Sequence, residues 1–212
     1  MDNGWNDIAD KLPGLAFRQK KLPRMDEAPQ RIIIHHTGSG VLDRAKQWGI
    51  HPDAAAVRVY QQILEFSPHY VVGEKGIYQI VPETHKAWHA GLGSSRNSKL
   101  RYYASGKARE DYAWWAARWP GTENPRDLLP EGRGANAQIG IELVAVPKGE
   151  EFSDATYANL STLLNNISYR LHIPRDKFHI LGHSDVDPVA RSTNAASWDP
   201  PRHLDWDRVV TA

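Results

Sequence analysis

The chain of 212 residues contains no cysteine. Disulfide bonds and thiolate metal ligands are therefore excluded, and any metal ion must be bound through nitrogen and oxygen atoms. No run of apolar residues approaches the ~20 that a helix needs to cross a membrane. Basic and acidic side chains balance to a formal net charge of +1 at pH 7, which gives no basis for binding nucleic acid or a membrane surface.

The length fits a single domain, because domains of this size can bury most of their apolar surface. Residues 1–30 contain three prolines and no clear hydrophobic period, which predicts an irregular arm packed on a domain of residues 31–212. Strands interleaved with helices, including one hairpin, predict an α/β fold with a central mixed β-sheet flanked by helices. The predicted strands are residues 31–36, 69–72, 77–81, 139–146 and 178–181, and the predicted helices are residues 52–66 and 156–172.

A tryptophan-rich insertion occupies about residues 95–135. Its pattern predicts a short helix at 110–118 followed by a long loop, and loops of that length in compact domains are often functional. Trp114, Trp115 and Trp119 could extend a substrate groove or attach the insertion to the body of the domain, and we favour attachment.

Three separated segments carry residues that can bind one metal ion. They are "RIIIHHT" around His35, "IGIELV" around Glu142, and "ILGHSDVDP" with "SWDPP" around His183 and Asp199. In two of them a histidine ends an apolar, β-favouring run, which is how a sheet presents imidazoles at its rim. Two neutral imidazoles and one carboxylate leave a tetrahedral zinc ion with a position for water, the ligand set of a hydrolase.

Each of these residues also has a purely structural explanation when it is considered alone. His35 and His36 could be a hydrogen-bonded pair at a strand end, and adjacent strand residues face opposite sides, so only one of them can point into the site. Asp199 could be a turn or helix-cap carboxylate, and Glu142 could form a salt bridge at the sheet edge. Asp185 and Asp187 are rival carboxylates close to His183.

Six short motifs follow one another along the chain: "IIIHHT", "SPHYVV" (67–72), "AWHAG" (87–91), "IGIEL" (139–143), "GHSDVDP" (182–188) and "WDPP" (198–201). In content and order they resemble the motifs of the zinc-dependent N-acetylmuramoyl-L-alanine amidases. These are the type 2 amidases, which are related to peptidoglycan recognition proteins. The resemblance spans roughly residues 30–208 and implies an amidase/PGRP-like fold that hydrolyses the amide between N-acetylmuramic acid and L-alanine of the stem peptide.

The resemblance implies one Zn2+ ion held by His35, His183 and Asp199, with Glu142 as the catalytic residue. Apolar neighbours raise the pKa of a glutamate, which suits a group that takes a proton from water and gives it to the leaving amine. A metal-bound histidine usually donates its other N–H to an acceptor, so Asp185 is a candidate partner of His183.

The donor to the developing oxyanion is less well defined by the motifs. Members of the family often have a lysine two residues before the third ligand, where this chain has Ser197. Arg191, His69 or the Ser197 hydroxyl could replace it.

Three further residues are candidates for the substrate groove. The Trp88 indole offers a flat apolar face, unless it packs in the core, and the imidazoles of His36 and His89 offer hydrogen bonds.

Three biological settings are compatible with this chemistry. We favour a bacteriolytic enzyme of the phage endolysin type over a cytosolic amidase that recycles anhydro-muropeptides or an effector delivered by a secretion system. The first residues lack the features of a secretory signal, so we expect synthesis in the cytosol, and action on the cell wall only after release or delivery. The expected partner is peptidoglycan or a muropeptide, and we expect a monomer without membrane insertion.

One rival belongs to another functional class. A non-catalytic peptidoglycan-binding module keeps the groove but loses the metal through a changed ligand. Retention of all four candidate metal and catalytic residues argues against that rival. A zinc peptidase acting within the stem peptide is disfavoured because the sequence contains no HExxH motif.

Overall fold

The computed structural model describes residues 4–14, 22, 25–64, 67–89, 117–121, 128–130, 137–187, 199–200 and 204–210. The strands in these residues are β1 (Asp10–Lys11), β2 (Ile32–His36), β3 (Tyr70–Val72), β4 (Ile77–Gln79), β5 (Ile139–Leu143) and β6 (Ile180–Gly182). The helices are α1 (Gly40–Trp48), α2 (Pro52–Gln62), α3 (Asp154–Leu171), α4 (His183–Val186) and α5 (Trp206–Val210).

The strands form one mixed sheet in the order β1-β4-β3-β5-β2-β6. Strand β2 lies between β5 and β6 and is parallel to both, β3 is parallel to β5, and β3 and β4 form an antiparallel hairpin. The carboxyl ends of β5, β2 and β6 therefore meet at one edge of the sheet. In open α/β sheets this edge is where ligands bind.

Helices cover both faces of the sheet, which explains why β2 begins with three consecutive isoleucines. Ile32 and Ile34 lie with the apolar side chains of α3 and α5 in the larger core. Val71 of β3 packs on the other face with α1 and α2. The larger core also contains the α3 residues Leu160, Leu163, Leu164 and Ile167, which are fully or almost fully buried.

The predicted fold class is confirmed, and the differences are local. Helix α2 ends at Gln62, before the predicted end at residue 66, because Ile63 leaves the helical backbone conformation. The prediction missed α1, which ends where Gly49 adopts a left-handed conformation with φ of 63°. The expected arm contributes β1, which pairs with β4; a strand of two exposed residues carries no hydrophobic pattern that a sequence could reveal.

The insertion is described at residues 117–121 and 128–130. Trp119 is 2% exposed and packs in a small cluster with Ile33 and Leu181. Its indole N–H donates to Asp185 Oδ1 over 2.9 Å. Trp119 therefore attaches the insertion to the sheet, as predicted, whereas Trp114 and Trp115 lie outside the described residues. None of the described helices has the length and hydrophobicity needed to span a bilayer.

Candidate functional site

The carboxyl-terminal edge of the sheet brings His35, His183 and Asp199 together. One nitrogen or oxygen atom from each residue lies within 4.8 Å of the other two. His35 lies near the end of β2, and His183 follows β6 directly as the first residue of α4. All three side chains are buried, and among the described residues they are the set with metal-binding spacing.

His35, His183 and Asp199 form a donor cluster whose spacing fits a tetrahedral zinc ion. Asp199 Oδ2 lies 3.3 Å from His35 Nδ1 and 2.9 Å from His183 Nδ1. Ligands bound at about 2.0–2.1 Å with tetrahedral angles lie about 3.3 Å from one another. The two imidazole rings meet edge to face with their centroids 4.6 Å apart. Two nitrogens and one oxygen are thus close enough to share one ion.

The other oxygen of Asp199 is held by the chain around it. Asp199 Oδ1 accepts a hydrogen bond from the backbone N–H of His36 over 2.7 Å, and the backbone carbonyl of Asp199 accepts one from Ser184 N, also over 2.7 Å. Burial alone would raise the pKa of Asp199, but the imidazoles of His35 and His183 hold the pKa of this carboxyl well below its ordinary value. Asp199 is therefore ionised at neutral pH, as a metal ligand must be.

His36 also reaches the site, but it faces the opposite oxygen. Its Nδ1 lies 3.4 Å from Asp199 Oδ1, and its side chain is 18% exposed, compared with 1% for His35. His35 is therefore the histidine of the pair that joins the buried donor cluster. His36 lies at the solvent side, where a substrate could contact it.

Glu142 lies beside His35 on the neighbouring strand. The two residues are paired in register between the parallel strands β5 and β2, so their side chains lie on the same face of the sheet. Glu142 is 6% exposed and forms a hydrogen bond with the hydroxyl of Tyr60, a residue of α2. Burial and then the negative charge of Glu142 raise the pKa of Tyr60 well above its ordinary value. Tyr60 therefore remains protonated and donates to the carboxylate.

Tyr60 is a site residue that the sequence pattern did not reveal. Tyr60 lies within the helix predicted over residues 52–66, and the residue is 3% exposed. A buried tyrosine usually finds a partner for its hydroxyl. That rule offered the only available signal, and it could not identify Glu142 as the partner.

His89 lies behind His35, although the sequence predicted it in the substrate groove. His35 Nε2 and His89 Nδ1 are 2.9 Å apart, and His89 Nε2 lies 3.1 Å from the carbonyl oxygen of Gln138. The His89 residue is 7% exposed. Burial, followed by the neighbouring imidazoles, lowers the pKa of His89 well below its ordinary value, so the ring is neutral. Its hydrogen bonds are directed toward the donor cluster and the backbone instead of solvent.

His69 is held by the backbone and has no N–H left for an oxyanion. Its Nδ1 accepts from the N–H of Gly140 over 3.0 Å, and its Nε2 donates to the carbonyl of His85 over 2.9 Å. The residue is fully buried, and this burial lowers its pKa from 6.5 to about 4. Of the other candidate donors, Arg191 and Ser197 lie outside the described residues.

Asp185 stabilises the segment that carries His183 and does not bond to its imidazole. It accepts hydrogen bonds from Arg118 Nε over 2.9 Å, from the Trp119 indole, and from the backbone N–H of Gly182 over 2.7 Å. Nε2 of His183 is buried and has no hydrogen-bond partner among the described residues. The predicted contact between Asp185 and His183 Nε2 is therefore absent from the described residues.

Trp88 is the remaining groove candidate. It is 39% exposed, so its indole is not a core side chain, and its contact with a substrate stays a prediction.

Comparison with known proteins identifies one family. The model of the family Amidase_2, described as N-acetylmuramoyl-L-alanine amidase, matches residues 25–201. A search of curated proteins finds no match.

Solved structures with the same fold include two of AmpD. A selenomethionine derivative of AmpD is 23% identical, with a TM-score of 0.56 over 99% of this chain and 96% of that one. AmpD of Citrobacter freundii is 23% identical, with a TM-score of 0.50 over 99% and 92%. The amidase LysC from Clostridium intestinale is 16% identical, with a TM-score of 0.45 over 86% and 83%.

Proposed function

Because the chain belongs to the N-acetylmuramoyl-L-alanine amidase family, we propose that it uses zinc to hydrolyse the amide bond between N-acetylmuramic acid and L-alanine of the stem peptide. The observation that carries the proposal is the convergence of His35, His183 and Asp199, whose donor atoms lie within 4.8 Å of one another at the sheet edge. The family match supports the predicted enzyme class, and experiment must test the dependence on zinc.

The donor set is suited to zinc and not to a hard cation. Two imidazole nitrogens and one carboxylate oxygen are typical zinc ligands, whereas calcium and magnesium prefer oxygen alone. A zinc ion bound here would act as a Lewis acid, which lowers the pKa of water from about 15.7 to about 7 and polarises an amide carbonyl.

Glu142 is the proposed acid–base residue. Water attacks the carbonyl carbon, a C–O bond forms, and Glu142 takes the proton that the water loses. As the C–N bond breaks, Glu142 gives this proton to the departing nitrogen of L-alanine. The proposal is supported by the burial of Glu142, its register with His35 and its hydrogen bond with Tyr60.

Asp199 and the backbone bonds around it would keep the ligand geometry fixed during the reaction. The developing oxyanion is expected to need a hydrogen-bond donor in addition to the metal. Arg191 and the Ser197 hydroxyl remain the predicted donors, and His36 and Trp88 remain the predicted contacts to the substrate.

The test is digestion of purified peptidoglycan, with mass spectrometry of the products. Amidase action releases peptides with a free L-alanine amino terminus and leaves muramic acid intact. We expect a chelator to abolish release and zinc to restore it. Release of other fragments, or full activity after removal of the metal, would refute the proposal.

Glu142→Gln tests the assigned role, with Glu83→Gln as a matched control. We expect Glu142→Gln to keep the zinc content of the parent and to lose most turnover. Glu83 is also a buried glutamate and also accepts a tyrosine hydroxyl, that of Tyr70, but its charge partner is Arg170, outside the site. The control should therefore lose stability and keep its turnover. Unchanged turnover in Glu142→Gln would remove Glu142 as the acid–base residue.

The preferred biological setting remains a lytic enzyme of the endolysin type. A lytic enzyme or a delivered effector must accept the wall polymer, whereas a recycling amidase must accept soluble anhydro-muropeptide. Parallel digestion of both substrates distinguishes these settings, and a clear preference for the soluble fragment would replace the lytic proposal. Binding to walls without release of product would leave only a binding module.

A further inference from the structure

We propose that His89 is a positioning residue that holds His35 in the one neutral tautomer able to bind the metal through Nδ1, and that Gly140 provides the space for it. This inference rests on the proposed metal site. It concerns a contact that the sequence did not predict, since the motif "AWHAG" suggested a groove position for His89.

The positions of the hydrogen atoms on His89 and His35 follow from a single acceptor, the backbone carbonyl of Gln138. A neutral imidazole has one N–H donor and one acceptor nitrogen. The Gln138 carbonyl can only accept, so His89 Nε2, at 3.1 Å, must carry the hydrogen. His89 Nδ1 is then an acceptor, and His35 Nε2, at 2.9 Å, must donate to it. In the neutral ring that a metal ion requires, the lone pair of His35 therefore lies on Nδ1, the nitrogen 3.3 Å from Asp199 Oδ2.

The carbonyl that fixes this direction is itself well held. The Gln138 side chain accepts hydrogen bonds from the backbone N–H groups of Gln30 and Arg31 over 2.9 and 2.8 Å. These bonds join the start of β2 to the start of β5, and Gln138 is fully buried. The two strands that carry His35 and Glu142 are thus aligned by the residue whose carbonyl orients His89.

Gly140 leaves the space that the imidazole ring of His89 occupies. A Cβ built on Gly140 would lie 2.3 Å from Cγ of His89 and 2.5 Å from two further ring atoms. Gly140 is in a regular strand between Ile139 and Ile141, where β propensity alone would favour almost any other residue. The missing side chain lets the His89 ring lie flat on the strand and reach His35.

A buried histidine with satisfied hydrogen bonds is common and can have a purely structural role. Replacing a histidine with that role would change neither the zinc affinity nor the tautomer of His35. His69 is such a residue in the same layer. It is fully buried, both ring nitrogens bond to the backbone, and its ring centroid lies 5.8 Å from that of His89. The hydrogen bonds of its ring go to backbone groups and not to His35, His183 or Asp199, so it provides the matched control for His89.

The experiment measures two properties of His89→Leu, His89→Asn and His69→Leu. The first is the zinc dissociation constant, from competition with a chelator. The second is the tautomer of His35 in the metal-free protein, from long-range 1H–15N correlation spectra. Leucine removes the acceptor, whereas the Asn side-chain oxygen can accept from His35 Nε2 in place of Nδ1.

We expect His89→Leu to bind zinc about 10- to 100-fold more weakly, the usual effect of losing a partner of a metal-bound histidine. Its metal-free form should show both tautomers of His35. His89→Asn should recover most of the affinity and the Nε2–H tautomer. His69→Leu should lose stability and keep the zinc affinity and the tautomer of the parent.

Gly140→Ala provides a second route to the same hydrogen bond and keeps His89 in place. We expect weaker zinc binding and a mixed His35 tautomer, because the new methyl group displaces the ring. This variant and His89→Asn carry the test if His89→Leu does not fold.

Three outcomes would overturn the inference: an Nδ1–H tautomer in the metal-free parent, parental zinc affinity in both His89→Leu and Gly140→Ala, or equal losses of affinity in His89→Leu and His69→Leu. Failure of the parent to bind zinc would instead refute the proposed function.

Discussion

His69→Leu should reduce the sensitivity of the fold to acid. Burial lowers the pKa of His69 from 6.5, its ordinary value, to about 4 in the folded chain. Between these two values the unfolded chain binds a proton that the folded chain does not bind. His69 therefore does not affect the pH dependence of stability above a pH of about 6.5. As the pH falls from there toward about 4, the folded chain progressively loses stability because its His69 stays neutral.

The size of the effect follows from the two pKa values. They differ by about 2.5, and each pKa unit corresponds to about 1.36 kcal/mol, so His69 accounts for about 3 kcal/mol over the whole window. By a pH of about 5, about 2 kcal/mol of this is lost. A loss of that size is a large part of the stability of a typical domain.

The assay is urea unfolding of the parent and His69→Leu near neutral pH and at a pH of about 5, with chelator in every sample to remove the effect of metal. Near neutral pH the variant is less stable, because Gly140 N–H and the His85 carbonyl each lose their partner. The gap should shrink by about 2 kcal/mol at the lower pH. Leu160→Ala, which removes apolar atoms and no ionisable group, should keep a constant gap. A constant gap for His69→Leu as well would show that the protonation of His69 does not destabilise the fold between these two pH values.

Three further predictions concern the candidate site. His183→Ala should abolish zinc binding and activity together, measured by metal analysis and product release; full zinc occupancy would show that His183 is not a ligand. Asp199→Ala should weaken zinc retention more than Asp185→Ala, which should instead lower the free energy of unfolding because Arg118 and Trp119 lose their acceptor; the reverse order would exchange their roles. Tyr60→Phe should keep its zinc and lose about 10-fold in kcat, or about 1.4 kcal/mol, since Glu142 loses a donor that orients it; an unchanged kcat would show that this hydrogen bond does not assist turnover.

The fold could be predicted in outline because its sheet and longest helix have strong periodic patterns. The isoleucines of β2 and the apolar stripe of α3 identify a buried strand and a helix that covers it. Strand β1 and helix α1 escaped prediction. Strand β1 consists of two exposed residues, and α1 has buried residues at only two positions, Val41 and Ala45, so neither pattern stands out from a loop.

The candidate metal donors could be predicted from residue type together with the family resemblance, but the residues that support them could not. His35 and His183 follow apolar runs, and a carboxylate completes a recognisable ligand set. The partners of these residues are separated along the chain. His89 is 54 positions from His35, and its orientation depends on a backbone carbonyl and on a missing side chain at Gly140.

The chemical groups available to the site follow from the amino-acid sequence alone: nitrogen and oxygen donors without sulfur, a glutamate within an apolar run, and histidines that follow apolar runs. The packing of strands and helices determines which nitrogen of each imidazole faces Asp199, that Tyr60 bonds to Glu142, and that His69 and His89 have different partners. Hydrophobic periodicity in a sequence reports the face of a strand or helix on which a side chain lies. Hydrogen bonds instead depend on distances of about 3 Å between atoms that meet only when the strands and helices have packed.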